Sequence, residues 1–555
     1  MSINLRAIRT LAIAMVLAGL GGSSAAAQTP SVPYFGKNQI RYDNFNWHVY
    51  PTDHFEIYYY DEIEPHLERI AGYAESAYQH VSSELKHDLA FKVPLILFAS
   101  SSEFWQQNVI PGAAQEGVGA FAEPSRYRIV MPLDEPSDLL YRLLVHELTH
   151  QFQYDIIPTS LLRQDMPLWV FEGMSDYLTG VWRAIDLMYV RDAAVSDNVP
   201  RMSRLQGYGG FGNARAIYNL GHAAFEFIEA RWGKDGVRRF VFSLRKSVIG
   251  GGTDAYRDAF DIDAEEWDRQ FDRYLKERFK AFRDKERPGD YGRAYSPAAA
   301  TGRYSNVFAA EPSPSGDLIA VMTGNARDRE LDILLLSSRD GSIVRHLTSG
   351  FDQGLGFESI PTPGMRFVTV PWMSWSPRGD QLAYFVRTEK DRSLILQNVV
   401  TRKVDVRIPM TMVDAPESPD ISPDGGVVAF AAARGIVGDI FTLNLETREV
   451  VNLTNDAFAD YAPTWSPDGR AIVYLKRVSG NDKLFRLDLA TGTSTQLTFG
   501  THDEGAAQFL DARTIVFTST ATDPTTAVDP DVARNGAVHN VWTLDLNTGA
   551  LQQHT

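Results

Sequence analysis

The segment Val145-His146-Glu147-Leu148-Thr149-His150 places two imidazoles four residues apart inside the apolar-periodic run Leu139 to Phe152. On a helix, His146 and His150 project from one face a turn apart, a spacing that suits a single tetrahedral zinc ion. Glu147 lies beside them, able to reach a zinc-activated water as general base. The plain alternative is a helix with one charged face. Further along, Pro167-Leu-Trp-Val-Phe171-Glu172-Gly173-Met-Ser-Asp176-Tyr177 offers a third ligand, Glu172, giving two histidines and a carboxylate with a fourth position open. Asp176 lies one turn beyond Glu172 on the same face, where it can accept a hydrogen bond from the non-ligating nitrogen of a zinc histidine. The chain has no cysteine, so any metal must be held by His, Asp or Glu. This donor set also suits iron or cobalt, but HExxH followed by Glu makes one Zn2+ per chain the expected cofactor.

The elements around these residues read as strands first and mostly helices after. His54 to Tyr60, Val93 to Ala99 and Tyr127 to Leu133 are β-branched, aromatic or continuously apolar, as strands are. Pro65 to Lys86, Ala214 to Arg231 and Glu265 to Arg283 carry helical patterns. Ser137 is the expected N-cap of the HExxH helix, and Pro167 suits a first helical turn with Asp165 as cap. The expectation for residues 34–285 is an α+β domain.

These residues resemble the gluzincin, or peptidase MA-like, zinc metallopeptidases, through HELTH at 146–150, FEGMSDY at 171–177 and the strand YRIVMPL at 127–133. The resemblance implies a zincin-like fold and peptide-bond hydrolysis, with Glu147 as general base and His146, His150 and Glu172 on the metal. It also implies that Gly119, Ala120 and Phe121 shape substrate binding beside the 127–133 strand. A Tyr or His beyond the third ligand holds the oxyanion in such enzymes. Tyr218 is the candidate, with His222 and then Tyr208 behind it.

Residues 286–303 read as a linker. Beyond it a different pattern repeats: Pro312-Ser313-Pro-Ser-Gly316, Trp375-Ser376-Pro-Arg-Gly379, Ile421-Ser422-Pro-Asp-Gly425 and Trp465-Ser466-Pro-Asp-Gly469. A degenerate fifth copy falls at Phe509-Leu510-Asp511. The anchors Ser313, Ser376, Ser422, Ser466 and Leu510 are 63, 46, 44 and 44 residues apart, and each precedes a short apolar strand. A period of about 40–45 residues with four strands per unit is that of a propeller blade. The repeats resemble the TolB-type propeller over 304–555. Five units are readable, and a cryptic further blade, an open ring and a truncated chain are each consistent with that count.

The whole is expected to be a multidomain protein, a zincin-like α+β domain followed by an all-β propeller. Of its 555 residues 44% are hydrophobic and 22% charged, and the net charge of −16 argues against nucleic acid and anionic membrane surfaces as partners. Arg6, Arg9, the apolar run Leu11 to Leu20 and Ala25-Ala26-Ala27 form a signal-peptide pattern over 1–27, cut near Ala27-Gln28. The mature chain is then exported, periplasmic or secreted, with no membrane span. Gly207 to Gly212 formally matches G-x-G-x-x-G, but no strand precedes it. A serine mechanism is set aside because no α/β-hydrolase domain follows the blades. Two readings result. One is an exported zinc metallopeptidase acting on a peptide or protein, its cleft gated by the propeller or its substrate recruited there. The other is a scaffold whose propeller binds a protein partner, with a structural or vestigial zinc site.

Overall fold

The computed structural model describes residues 44–555 apart from 105, 108, 110–118, 158–165, 206–214, 251–253, 286–287, 293–303, 326–329, 349–371, 388–391 and 521–538. The chain divides into Met1–Ile40 and Arg41–Thr555. The expected signal peptide, Asp165, Tyr208 and the Gly207–Gly212 loop lie outside the described residues, as does most of the 286–303 linker. Among the described residues no helix is long and apolar enough to cross a membrane.

The first half begins with a mixed sheet of β1 (His48–Pro51), β2 (Phe55–Tyr59), β3 (Val93–Phe98), β4 (Phe121–Glu123) and β5 (Arg128–Pro132), in the order β1-β2-β3-β5-β4. The β2–β3 and β3–β5 pairs are parallel, while the two edge strands, β1 and β4, run antiparallel to their neighbours. Helix α1 (Leu67–Leu85) makes the β2–β3 crossover, burying Ile70, Ala74, Ala77 and Val81 on one face. A short α2 (Ser101–Phe104) follows β3.

The remaining elements of this half are helical: α3 (Ser137–Ile156), α4 (Leu168–Leu178), α5 (Ala184–Val195), α6 (Arg215–Gly250), α7 (Ala255–Phe260) and α8 (Ala264–Arg278). Gly233, at φ +70°, kinks α6. The expected Ser137 cap is corrected: Pro136 occupies the N-cap of α3 without a side-chain bond, and the Ser137 hydroxyl accepts from Arg69.

Helices α4 and α6 cross at close range. A Cβ on Gly221 would fall 2.3 Å from the Trp169 carbonyl oxygen, and one on Gly173 would fall 2.4 Å from the Gly221 backbone. Only two glycines allow that approach. It fixes α4, and with it Glu172 and Asp176, against the long helix.

Among the described residues the second half is a β-propeller of five four-stranded antiparallel sheets. Its turns are made locally. The Ser466 hydroxyl accepts from Ala471 N at 2.9 Å and donates to Asp468 at 2.6 Å, while Gly469 takes φ +70°. Ser422, Asp424 and Gly425 repeat this arrangement. The first strand of each blade places one residue, two before the anchor position, in a common ring: Glu311, Ser374, Asp420, Thr464 and Gln508. Ser374 Oγ donates to Asp420 at 2.9 Å. Gln508 Nε2 donates to Glu311 Oε2 at 2.9 Å, so the first and fifth blades meet.

The two halves touch. Ile436 and Val437, in the turn after an inner strand of the third blade, pack into the hydrophobic core of the first half. In the fourth blade, Arg477 grips Asp138 in the first turn of α3, with Nη2 2.7 Å from Oδ2.

Candidate metal centre

Helix α3 forms because Leu140, Leu144, Leu148, Phe152 and Ile156 recur on a face that the core covers. That leaves His146 and His150 on the neighbouring face, turned toward α4. Their ring nitrogens and a Glu172 carboxylate oxygen all lie within 4.8 Å of one another. His146 Nε2 is 3.3 Å and His150 Nε2 3.4 Å from Glu172 Oε2.

The opposite nitrogens are already engaged. His146 Nδ1 lies 2.9 Å from Asp176 Oδ1, and His150 Nδ1 lies 2.8 Å from Gln153 Oε1. Both acceptors require a proton on Nδ1, so each imidazole turns its Nε2 edge toward Glu172. Gln153 is held in turn by donating to Phe171 O at 2.8 Å. Phe171 stacks on His150 with ring centroids 4.1 Å apart.

The electrostatics favour a cation at this point. Burial pulls the His146 imidazole down, but Asp176 and Glu172 overcome it and push it up to about 10. Burial raises Glu172, and the two histidines outweigh that and bring it to about 2. Glu147 is raised by burial, against the pull of His146 and His150. Asp176 would be raised by its burial, yet the Arg215 and Arg142 guanidiniums hold it well below the usual carboxylate range. Two imidazole Nε2 atoms and a carboxylate converging at one point are the donor set of a divalent ion once the imidazoles are neutral, and the residues fit one. Bound there, such an ion would supply Lewis acidity to a water or carbonyl. Glu147, between the two histidines on α3, is buried.

The other sequence candidates separate. The Tyr218 ring lies parallel to His146, centroids 6.2 Å apart at 15°. His222 stacks on Trp182 at 3.8 Å, away from the ligand set, and burial takes it down to about 4, so the structure gives it a packing role. Phe121 opens the edge strand β4, Ala120 is buried beside it, and a Cβ on Gly119 would be in contact with Leu143 of α3. Sequence reasoning missed Arg142, Gln153 and Arg215. The signal for Arg142 was its position, four residues before His146 on the same helix.

Residues 366–539 match the TolB β-propeller domain. A dipeptidyl-peptidase 5 of Porphyromonas gingivalis is 29% identical over 153 residues, which are 24% of this chain and 22% of that protein. Solved structures similar to the chain include the structure of a TolB protein described as putative from Agrobacterium tumefaciens, at 18% identity and TM-score 0.35, covering 45% of this chain and 80% of that one. A puromycin-hydrolyzing peptidase of Mycobacterium tuberculosis is similar at 15% identity and TM-score 0.32, over 46% of this chain and 37% of that one. The chain thus carries a TolB-type propeller, and it spans about a fifth of the length of the curated relative.

These comparisons correct one expectation. The enzyme reading, a zinc metallopeptidase of the gluzincin type, is overturned because the family model that matches is the TolB propeller and the curated relative is a dipeptidyl-peptidase 5, neither of them a zinc gluzincin. The physical reason is that HExxH followed by Glu specifies a ligand geometry, and a ligand geometry does not by itself specify a reaction.

Proposed function

We propose that the chain is an exported metalloprotein in which a TolB-type propeller binds a protein partner and a buried centre of His146, His150 and Glu172 holds one divalent ion, zinc by its donor set. The observation that carries this reading is the convergence of two Nε2 atoms on Glu172 Oε2 while both Nδ1 atoms are tied to Asp176 and Gln153. A carboxylate and two oriented imidazoles around one point have no packing purpose that three apolar residues would not serve better. The propeller supplies what such rings commonly supply, a rigid surface of loops for another protein. Export rests on the Arg6–Ala27 pattern, and fusing residues 1–27 to a periplasmic reporter tests that part separately.

Metal analysis of the purified mature chain, with His146→Ala and Glu172→Gln beside it, tests the centre. The expected result is one zinc per chain in the parent and less than a tenth of that in either variant. Equal metal in all three overturns the assignment. The scaffold role is tested by incubating the parent and Glu147→Gln with a diverse peptide mixture and reading products by mass spectrometry. Unchanged mixtures support it. Cleavage by the parent that disappears in Glu147→Gln overturns it.

A further inference from the structure

Arg215, the first residue of α6, meets the metal centre from behind on two sides. Its Nη2 lies 2.7 Å from Asp176 Oδ2, the carboxylate whose other oxygen takes His146 Nδ1. Its guanidinium also lies over the Tyr218 ring, 4.9 Å from the centroid, and Tyr218 runs parallel to the His146 imidazole. The same fork reaches Asp186 of α5, with Nε 3.2 Å from Oδ1. Arg183 holds that carboxylate from its far side at 2.8 Å. Arg142 completes the set on Asp176 Oδ1 at 3.1 Å. The result is an alternating chain of charges, Arg183–Asp186–Arg215–Asp176–Arg142, with both aspartates buried.

We infer that Arg215 is a positioning residue for the metal centre, setting the orientation of His146 through Asp176 at its edge and Tyr218 at its face. The inference rests on the metal reading above. A bidentate, planar guanidinium is needed because it must address Asp176 and Asp186 at fixed angles while keeping a flat face on Tyr218. Lysine supplies the charge without the fork or the face. The carboxylate that orients a histidine ligand typically governs metal affinity by about 10- to 100-fold, and here that carboxylate is itself oriented by Arg215.

The test uses the mature full chain, its metal removed by chelator, and titrates Zn2+ against a competing chromophoric chelator, with the visible spectrum of bound Co2+ as a second readout. Arg215→Met is expected to weaken Zn2+ by about 10- to 100-fold and to change the Co2+ spectrum, with Arg215→Lys recovering part of the affinity. Asp186→Asn, which frees the far side of the fork, is expected to shift both in the same direction by less. That variant and Arg215→Lys carry the test if Arg215→Met does not fold by circular dichroism. Folded variants with the parent's Zn2+ affinity and Co2+ spectrum overturn the inference, whatever their melting temperature. A parent that binds no Zn2+ overturns the metal reading instead.

Discussion

Two sets of carboxylates, Asp176 and Asp186 behind the proposed metal centre and Glu311 and Asp420 on the first strands of two blades, are compensated in opposite ways. Behind the proposed metal centre two buried aspartates each have guanidiniums against them: Arg215 and Arg142 on Asp176, Arg183 and Arg215 on Asp186. On the propeller side, the donors to Glu311 and Asp420 among the described residues are neutral, Gln508 on the one and Ser374 with the Trp465 amide on the other. The consequence is a split in charge state. Cations outweigh burial and hold Asp176 and Asp186 below the ordinary range. Burial, reinforced by their mutual repulsion for Glu311, lifts Glu311 to about 8 and Asp420 to about 6. A fixed set of charges is what a metal centre needs, because ligand orientation must not vary with pH. A ring that only joins blades tolerates protons.

Removing one member of a compensated network should therefore cost most. Arg142→Leu leaves Asp176 with a missing partner in a buried site, an arrangement that typically costs about 3–5 kcal/mol. Denaturant unfolding of the metal-free protein is the measurement. A loss below about 1 kcal/mol would break the contrast with the propeller ring, where acids persist without cations.

How much of this was legible in the sequence depends on range. The blade turns were readable because Ser466, Asp468 and Gly469 satisfy one another within a few residues. His146, His150, Glu172 and Asp176 were readable as a group because helix geometry fixes i and i+4 spacings. Arg215 was not, since its partner Asp176 is 39 positions away by number and a lone arginine carries no pattern. The same holds for Gly173 and Gly221, whose close approach exists only once α4 and α6 cross. The Ser137 cap failed for a related reason, because the hydroxyl found a partner in Arg69, 68 residues distant. The ring on the axis was present in the repeat as the residue two before each anchor. Its residue types differ from blade to blade, so no conserved letter marked it.

The glycine pair gives the next effect. Gly221→Ala puts a methyl 2.3 Å from the Trp169 carbonyl and 2.7 Å from Gly173 Cα, so α4 must shift. Overpacking of that kind costs about 1–3 kcal/mol. Zinc affinity should fall with it because Glu172 rides on α4. By contrast Gly72→Ala, on α1, has nothing within 4 Å of the new methyl and should stabilise slightly. Thermal melts and chelator competition on the two variants separate a general effect of added methyls from a specific effect of this crossing.

The pH response sharpens the same contrast with a smaller effect. Glu311 and Asp420 have folded values above their unfolded ones, so the folded state keeps protons that the unfolded state releases. Their contribution is intact below about pH 4 and is lost as pH rises toward about 8. Glu172 and Asp176 have the opposite sign, contributing above about pH 4 and losing it as pH falls through their lowered values. Glu311→Gln keeps a hydrogen-bonding group facing Gln508 and removes the titration. Its melting temperature should exceed the parent's by a few degrees at pH 8.5 and match it at pH 4.5. A variant that melts lower than the parent at pH 8.5 would show that Glu311 is ionised and compensated, like the acids of the other half.

The smallest effect belongs to the contact that joins the two halves. Arg477 donates to Asp138 on α3 and to Asp482 in its own blade at 2.6 Å, so the propeller holds the start of the helix that carries Arg142, His146 and His150 at successive four-residue steps. Asp138 is partly exposed, and a pair of this kind is typically worth about 0.2–1 kcal/mol and weakens with salt. Asp138→Asn should thus cost at most about 1 kcal/mol at low ionic strength and nothing measurable in 1 M salt. Ile436 and Val437, packed into the core of the first half, should keep the halves together in the variant. A larger loss that salt does not reduce, accompanied by weaker zinc binding, would mean that the propeller sets the position of the metal helix, and the two regions would have to be treated as one cooperative unit.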